Sequence, residues 1–181
     1  MYNTITRTQV LTRSALFIAV TAVCSWISIP IPGTSVPINL ATFAVILAGL
    51  MLGSRDGAIA MLVFLALGAI GVPVFHSFTG GMGIVFGPTG GFLIGFIFLA
   101  AIAGFFVEKF PAKIYMHVVG LIIGMAICYI FGTAWLAGQL GMSFVAALSI
   151  GVIPYLPGDT AKIIIAIIAG PQIRKAVSRF M

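Results

Sequence analysis

Residues able to do chemistry are scarce in this 181-residue chain: three are acidic (Asp56, Glu108 and Asp159), nine are Lys or Arg, and two are His. Asp159 and Lys162 stand three apart in Pro154-Tyr155-Leu156-Pro157-Gly158-Asp159-Thr160-Ala161-Lys162, a spacing that puts both on one helical face. Such a pair can accept N–H donors at the carboxylate and meet an anionic or strongly polar ligand group at the ammonium. The start of a helix also favours negative charge. A purely structural reading stands beside this one. Pro157 and Gly158 make a turn, Asp159 N-caps the helix, and Lys162 lifts its ammonium to the water interface.

The second constellation is Gly71-Val72-Pro73-Val74-Phe75, then Gly80-Gly81-Met82-Gly83, then Gly87-Pro88-Thr89-Gly90-Gly91-Phe92. No Lys follows these glycines as in a P-loop, and no strand precedes them as in a dinucleotide fold. They make a tight loop, or a loop whose bare backbone approaches a flat ligand, with Phe75, Phe78, Phe86 and Phe92 as apolar walls. Both can hold at once. His76 lies in this loop and His117 near the opposite end of a later span, so they form no shared metal site or dyad, and His76 alone reads as incidental. Cys24 and Cys128 lie in apolar runs and read as small hydrophobes. No carboxylate pair, HExxH or Walker sequence is present, so neither an enzyme mechanism nor a cofactor is expected.

What positions these residues follows from composition. The chain is 61% hydrophobic and 7% charged, whereas soluble domains carry roughly 25% charged residues. It cannot clothe a globule in polar surface. Nine basic residues scattered among apolar runs make no phosphate-tracking stripe, so nucleic acid is excluded despite a net charge of +6. The expected class is an all-α integral membrane protein in contact with the lipid bilayer.

A spanning helix needs about 20 residues, with a lower limit near 17. Six segments meet or approach this: 11–29, 38–54, 57–72, 90–108, 114–136 and 160–178. The second and third are short. The stretch 142–153 has 12 residues and is expected at the surface or folded on the bundle. With the N-terminus inside, six spans put Arg7, Arg13, Arg55, Lys109, Lys113, Arg174, Lys175 and Arg179 on the cytoplasmic side. Both termini are then cytoplasmic, and residues 1–181 read as one six-span domain. Arg7 and Arg13 before an apolar run resemble a signal peptide, but no A-x-A pattern follows and Val23 precedes Cys24, so a retained first span is expected. Asp56 and Glu108 fall beside Arg55 and Lys109 in cytoplasmic turns, solvated or paired. The outer loops 30–37, 73–89 and 137–158 carry no formal charge but hold seven of the nine prolines, a composition suited to a lid folded on the bundle. Ala15 and Ala19, continued by Ala22, give the first span a small-residue face. Gly49/Gly53, Gly91/Gly95 and Gly120/Gly124 repeat that spacing, with packing inside the chain as the default reading.

The two glycine runs and the Pro157–Lys162 motif together resemble the BioY family, the biotin-specific S components of energy-coupling factor (ECF) transporters. The similarity covers nearly the whole chain, including Ala15 and Ala19. It implies a six-helix bundle that captures biotin from outside. It also implies docking through Ala15 and Ala19 on a transmembrane coupling subunit (T component) that works with cytoplasmic ABC-type ATPases in the cell membrane. Asp159 and Lys162 match family positions that contact biotin. Gly81, Met82 and Gly83 of the glycine loop, Gly90, Gly91 and Phe92 at the fourth span, and Phe75 match the pocket lining, and Asn39 in Val36-Pro37-Ile38-Asn39-Leu40 is a looser match. Some members carry polar residues where this chain has Met82 and Leu93. Biotin offers an apolar ring and tail, ureido N–H donors and a carboxylate. Asp159 is assigned the polar ring end, and Lys162 either binds the carboxylate or orients Asp159.

An S component for another vitamin shares this fold, although a cationic one such as thiamin suits Lys162 poorly. A small membrane enzyme would need a polar cluster at one interface, and none is visible. A second copy of the chain is a further candidate partner.

Overall fold

A computed structural model describes residues 7–29 and 36–179, with the side chains of Ile38 and of positions from 171 onward left out of account. The side chains of Arg174, Lys175 and Arg179, and the loop at 30–35, therefore lie outside the described residues. The chain runs α1 (Arg7–Trp26), β1 (Ser28–Ile29), β2 (Ile38–Asn39), α2 (Ala41–Leu52), α3 (Ser54–Ala69), α4 (Met82–Val85), α5 (Gly90–Lys109), α6 (Ile114–Leu140), α7 (Phe144–Gly151) and α8 (Leu156–Arg179). Short 3-10 turns at His76–Phe78 and Ile153–Tyr155 fill two of the connections. Apart from the two-residue antiparallel ribbon β1–β2, the regular structure is helical, as the composition requires.

Both neighbours and lipid are apolar, so the helices are apolar on all sides. Leu62, Ile122, Ile130, Ile164 and Ile168 are each more than half exposed, a pattern that only a hydrocarbon solvent makes stable. Four stretches among the described residues are long and apolar enough to cross a bilayer: Arg7–Trp26, Gly90–Lys109, Ile114–Leu140 and Phe144–Gly170. The last is interrupted at Ile153–Tyr155, and α8 carries the length on its far side. The segments read as 38–54 and 57–72 are α2, with 12 residues, and α3, with 16. At 1.5 Å per residue α2 is about 18 Å long, well short of a 30 Å hydrocarbon core. The stretch 142–153 becomes α7, whose Ala147 and Gly151 are buried while Val145 faces outward.

Packing is set by missing side chains. A methyl group on Gly91 would stand 2.3 Å from Trp135 Cβ, and one on Gly95 would stand 2.7 Å from Cys128 Sγ, so α5 and α6 approach backbone to backbone. A methyl on Gly49 would meet the Ala100 carbonyl oxygen at 2.7 Å, locking α2 to α5. The three glycine pairs thus serve packing within the chain. Gly53, at φ +87, turns α2 directly into α3. There Glu108, exposed beside Lys109 at the end of α5, has a further role: its Oε1 accepts the Ser54 N–H at 2.9 Å, capping α3. On α1, Ala15 and Ala19 are exposed beside Leu11, Leu16 and Val23. Ala22 leaves that face and packs with Phe64, Val74 and Phe75.

Candidate functional site

The best-defined cavity lies at the end of the bundle where α8 begins, with a volume of about 690 Å³ counting the space at its mouth. Its body is apolar, from Phe92, Leu93, Phe96 and Met125. Each of the three outer loops reaches it: Val36 and Pro37 from the first, His76 and Thr89 from the second, Gly151 and Tyr155 from the third. The loops are stitched to the bundle through backbone carbonyls. Trp26 donates its indole N–H to Pro73 O at 2.8 Å and stacks on Phe78, and Trp135 donates to Gly87 O at 2.9 Å. Tyr155 donates its hydroxyl to Val36 O, tying the third loop to the first.

At one end of the cavity sits a polar cluster built by helix geometry. Helix α8 starts at Leu156, three residues before Asp159, because Pro157 needs no N–H partner in a first turn. Asp159 is therefore inside the helix, and the N-cap reading is overturned. Its Oδ1 accepts Lys162 Nζ at 2.7 Å, and its Oδ2 accepts the Tyr129 hydroxyl from α6. Lys162 is 9% exposed and gives a second N–H to Asn39 O at 2.7 Å, so it does not snorkel. The Asn39 side chain turns to its own backbone, where Oδ1 accepts the Ala41 N–H at 3.1 Å at the start of α2. One buried carboxylate thus ties α6, α8 and, through Lys162, the β2 strand. Behind it, Met125, Tyr129 and Asp159 also wall a shallower lipid-side cleft between α6 and α8, lined further by Ile122 and Ile163. The Tyr129–Asp159 bond closes that seam.

Of the residues singled out in the sequence, Asp159, Lys162, Asn39 and Phe92 meet at this cavity. The others stand elsewhere. Phe75 is fully buried against Phe64, with its ring over Gly68. Gly81 anchors the loop by its N–H to Gly68 O at 2.6 Å, Gly83 touches nothing a methyl would disturb, and Met82 is 56% exposed. Gly90 and Gly91 face Val85 and Trp135 rather than the cavity. Phe78 and Phe86 point outward, so Phe92 is the one wall of the four expected. Tyr129, Tyr155, Trp26 and Trp135 escaped the sequence reading. His76, read as incidental, lines the cavity, and burial pushes its imidazole below the ordinary range, so the ring is neutral at pH 7. Among the described residues no group of three His, Cys, Asp or Glu could hold a metal ion.

A bundle that faces lipid on its flanks and carries a buried ion pair at a cavity where α8 begins defines a membrane-embedded binding protein. Known proteins place it more closely. The sequence model described as the BioY family matches residues 1–179. The chain is 38% identical over 160 residues to the probable biotin transporter BioY of Pyrococcus horikoshii, spanning 88% of this chain and 93% of that one. To the biotin transporter BioY of Thermotoga maritima it is 34% identical over 165 residues, spanning 91% and 95%. Among solved structures, the S-component for biotin from an ECF-type ABC transporter superposes with a TM-score of 0.87 at 30% identity, covering 97% of this chain and 95% of that one. This chain belongs to the BioY family, and it is a multi-pass transporter component rather than an enzyme.

Proposed function

We propose that the chain captures biotin at the outer face of the cell membrane and serves as the S component of an ECF-type transporter. One observation carries the reading: an apolar-lined cavity that ends at the buried Asp159–Lys162–Tyr129 cluster. Biotin's rings and aliphatic tail suit Phe92, Leu93, Phe96 and Met125. Its cyclic urea offers N–H donors to the free lone pairs of Asp159, and its carbonyl suits the third N–H of Lys162. Asn39 holds the ammonium in place through its backbone oxygen. Phe75, Gly81, Met82, Gly83, Gly90 and Gly91 lie outside these contacts and build the glycine-rich loop and its junction with α5.

The charge pattern supports the orientation. Arg55, Lys109 and Lys113 lie at the end of the bundle remote from the cavity, where α2 turns into α3 and α5 into α6. Excess Lys and Arg mark the cytoplasmic side, so the cavity opens outward. Helices α1, α2, α3, α5, α6 and α8 are then six spans of a single domain, two of them short. The exposed Ala15–Ala19 face of α1 is the docking surface for a T component working with cytoplasmic ATPases.

The test is thermal unfolding in detergent against a panel of vitamins. Biotin at a thousandfold excess over Kd adds about 4 kcal/mol and raises Tm selectively. A stronger rise with thiamin or riboflavin, or none with any vitamin, overturns the assignment.

A further inference from the structure

A ligand with polar groups at opposite ends cannot place both at Asp159 and Lys162. Nζ and Oδ1 are 2.7 Å apart, so the two residues present one composite pole. An end offering N–H and C=O together is complementary to that pole. A carboxylate there would meet the ammonium only beside the charge of Asp159.

Besides Thr42 of α2, the cavity is lined by three polar side chains on elements other than those of the Asp159 cluster: Ser25 of α1, His76 of the glycine-rich loop and Thr89 at the start of α5. They flank one small apolar cluster, since Ser25 is a turn beyond Ala22, His76 follows Phe75, and Thr89 is a turn before Leu93. None of the three side chains has a hydrogen-bond partner among the described residues, whereas Asp159, Tyr129 and Lys162 are bonded to one another. Ser25 is 3% exposed, and Thr89 gives the helix it precedes no side-chain cap. Their donors line the cavity unengaged, so a ligand oxygen can bond them without displacing a bond within the protein.

Resting on the biotin reading above, we infer that Ser25, His76 and Thr89 form a second recognition pole that takes the ligand's carboxylate, while the ureido end sits at Asp159 and Lys162. The chemistry matches: two hydroxyls and a ring N–H are donors, and a carboxylate is an acceptor only. Thr89 also opens a 20-residue helix, whose first turn favours an anion. His76 is then a specificity-determining residue of this chain.

Calorimetry on the intact protein with biotin and with biotinamide, in which a neutral amide replaces the carboxylate, tests this. His76→Ala and Thr89→Val are each expected to weaken biotin by about tenfold or more while biotinamide changes by less than about twofold. Either variant suffices should the other fail to fold. Equal losses for both ligands, or an unchanged ratio, overturn the proposal. So does a Lys162→Met variant that alone erases the preference for biotin. If the parent protein binds neither ligand, the biotin reading itself fails, a result separate from the others.

Discussion

Lys162 has three N–H donors and uses two of them inside the protein, on Asp159 Oδ1 and Asn39 O. Removing its charge therefore does more than delete a ligand contact, because Asp159 is left buried with Tyr129 as its remaining partner. Breaking a buried pair from one side costs about 3–5 kcal/mol. Lys162→Met is expected to lose stability on that scale and at least about tenfold in biotin affinity. The double variant Asp159→Asn/Lys162→Met regains most of the stability and none of the affinity. Thermal unfolding and calorimetry on the same preparations check both, and a single variant as stable as the parent would refute the buried-pair account. The sequence put Asp159 and Lys162 on one face, which settled that they could pair. Tyr129 was hidden because its partner lies 30 positions away on another helix and nothing in its apolar surroundings marks it.

At the scale of elements, the outer loops have turns of their own and are tied to the bundle by long-range bonds to carbonyls. Trp135 reaches Gly87 across 48 positions, and Trp26 reaches Pro73 across 47. Trp135→Phe removes the indole donor, leaving Gly87 O with only the Gly90 N–H at 3.1 Å and untying the loop from α6. The expected outcome is a loss of about 1 kcal/mol in stability and faster biotin release, read by unfolding and by stopped-flow chase. Unchanged release kinetics would show that this bond does not hold the lid. Proline and glycine content announced a stiff, folded loop, but a carbonyl acceptor has no residue identity, so which tryptophan held it was not legible. For the same reason the α5–α6 contact was readable only in part. Gly91 and Gly95 marked a close approach, while Trp135 and Cys128 as the opposing surface came from the fold.

For the whole molecule, the uncovered feature is the α1 flank where Ala15 and Ala19 stand among Leu11, Leu16 and Val23. Small residues there leave room for the backbone of another helix. Ala15→Trp/Ala19→Trp is expected to abolish biotin uptake in cells carrying a complete transporter, while biotin binding by the purified chain changes by less than about twofold. A matching loss of binding would assign those alanines to the fold of this chain instead.

Composition alone determined the solvent of this protein, because 12 charged residues among 181 cannot cover a water-soluble surface. Hydropathy and the side on which basic residues gather then gave the helical class and the expected orientation, since both depend on local sums along the chain. The tertiary structure decided which polar residues share a cavity. It started α8 at Leu156, so Asp159 became a buried partner rather than a cap. It sent Phe75 to the core and Met82 outward, and it brought Tyr129, His76 and Tyr155 to the cavity. Those outcomes depend on how far apart helices stand and how each is rotated, which packing of small residues against large ones sets and no single segment encodes.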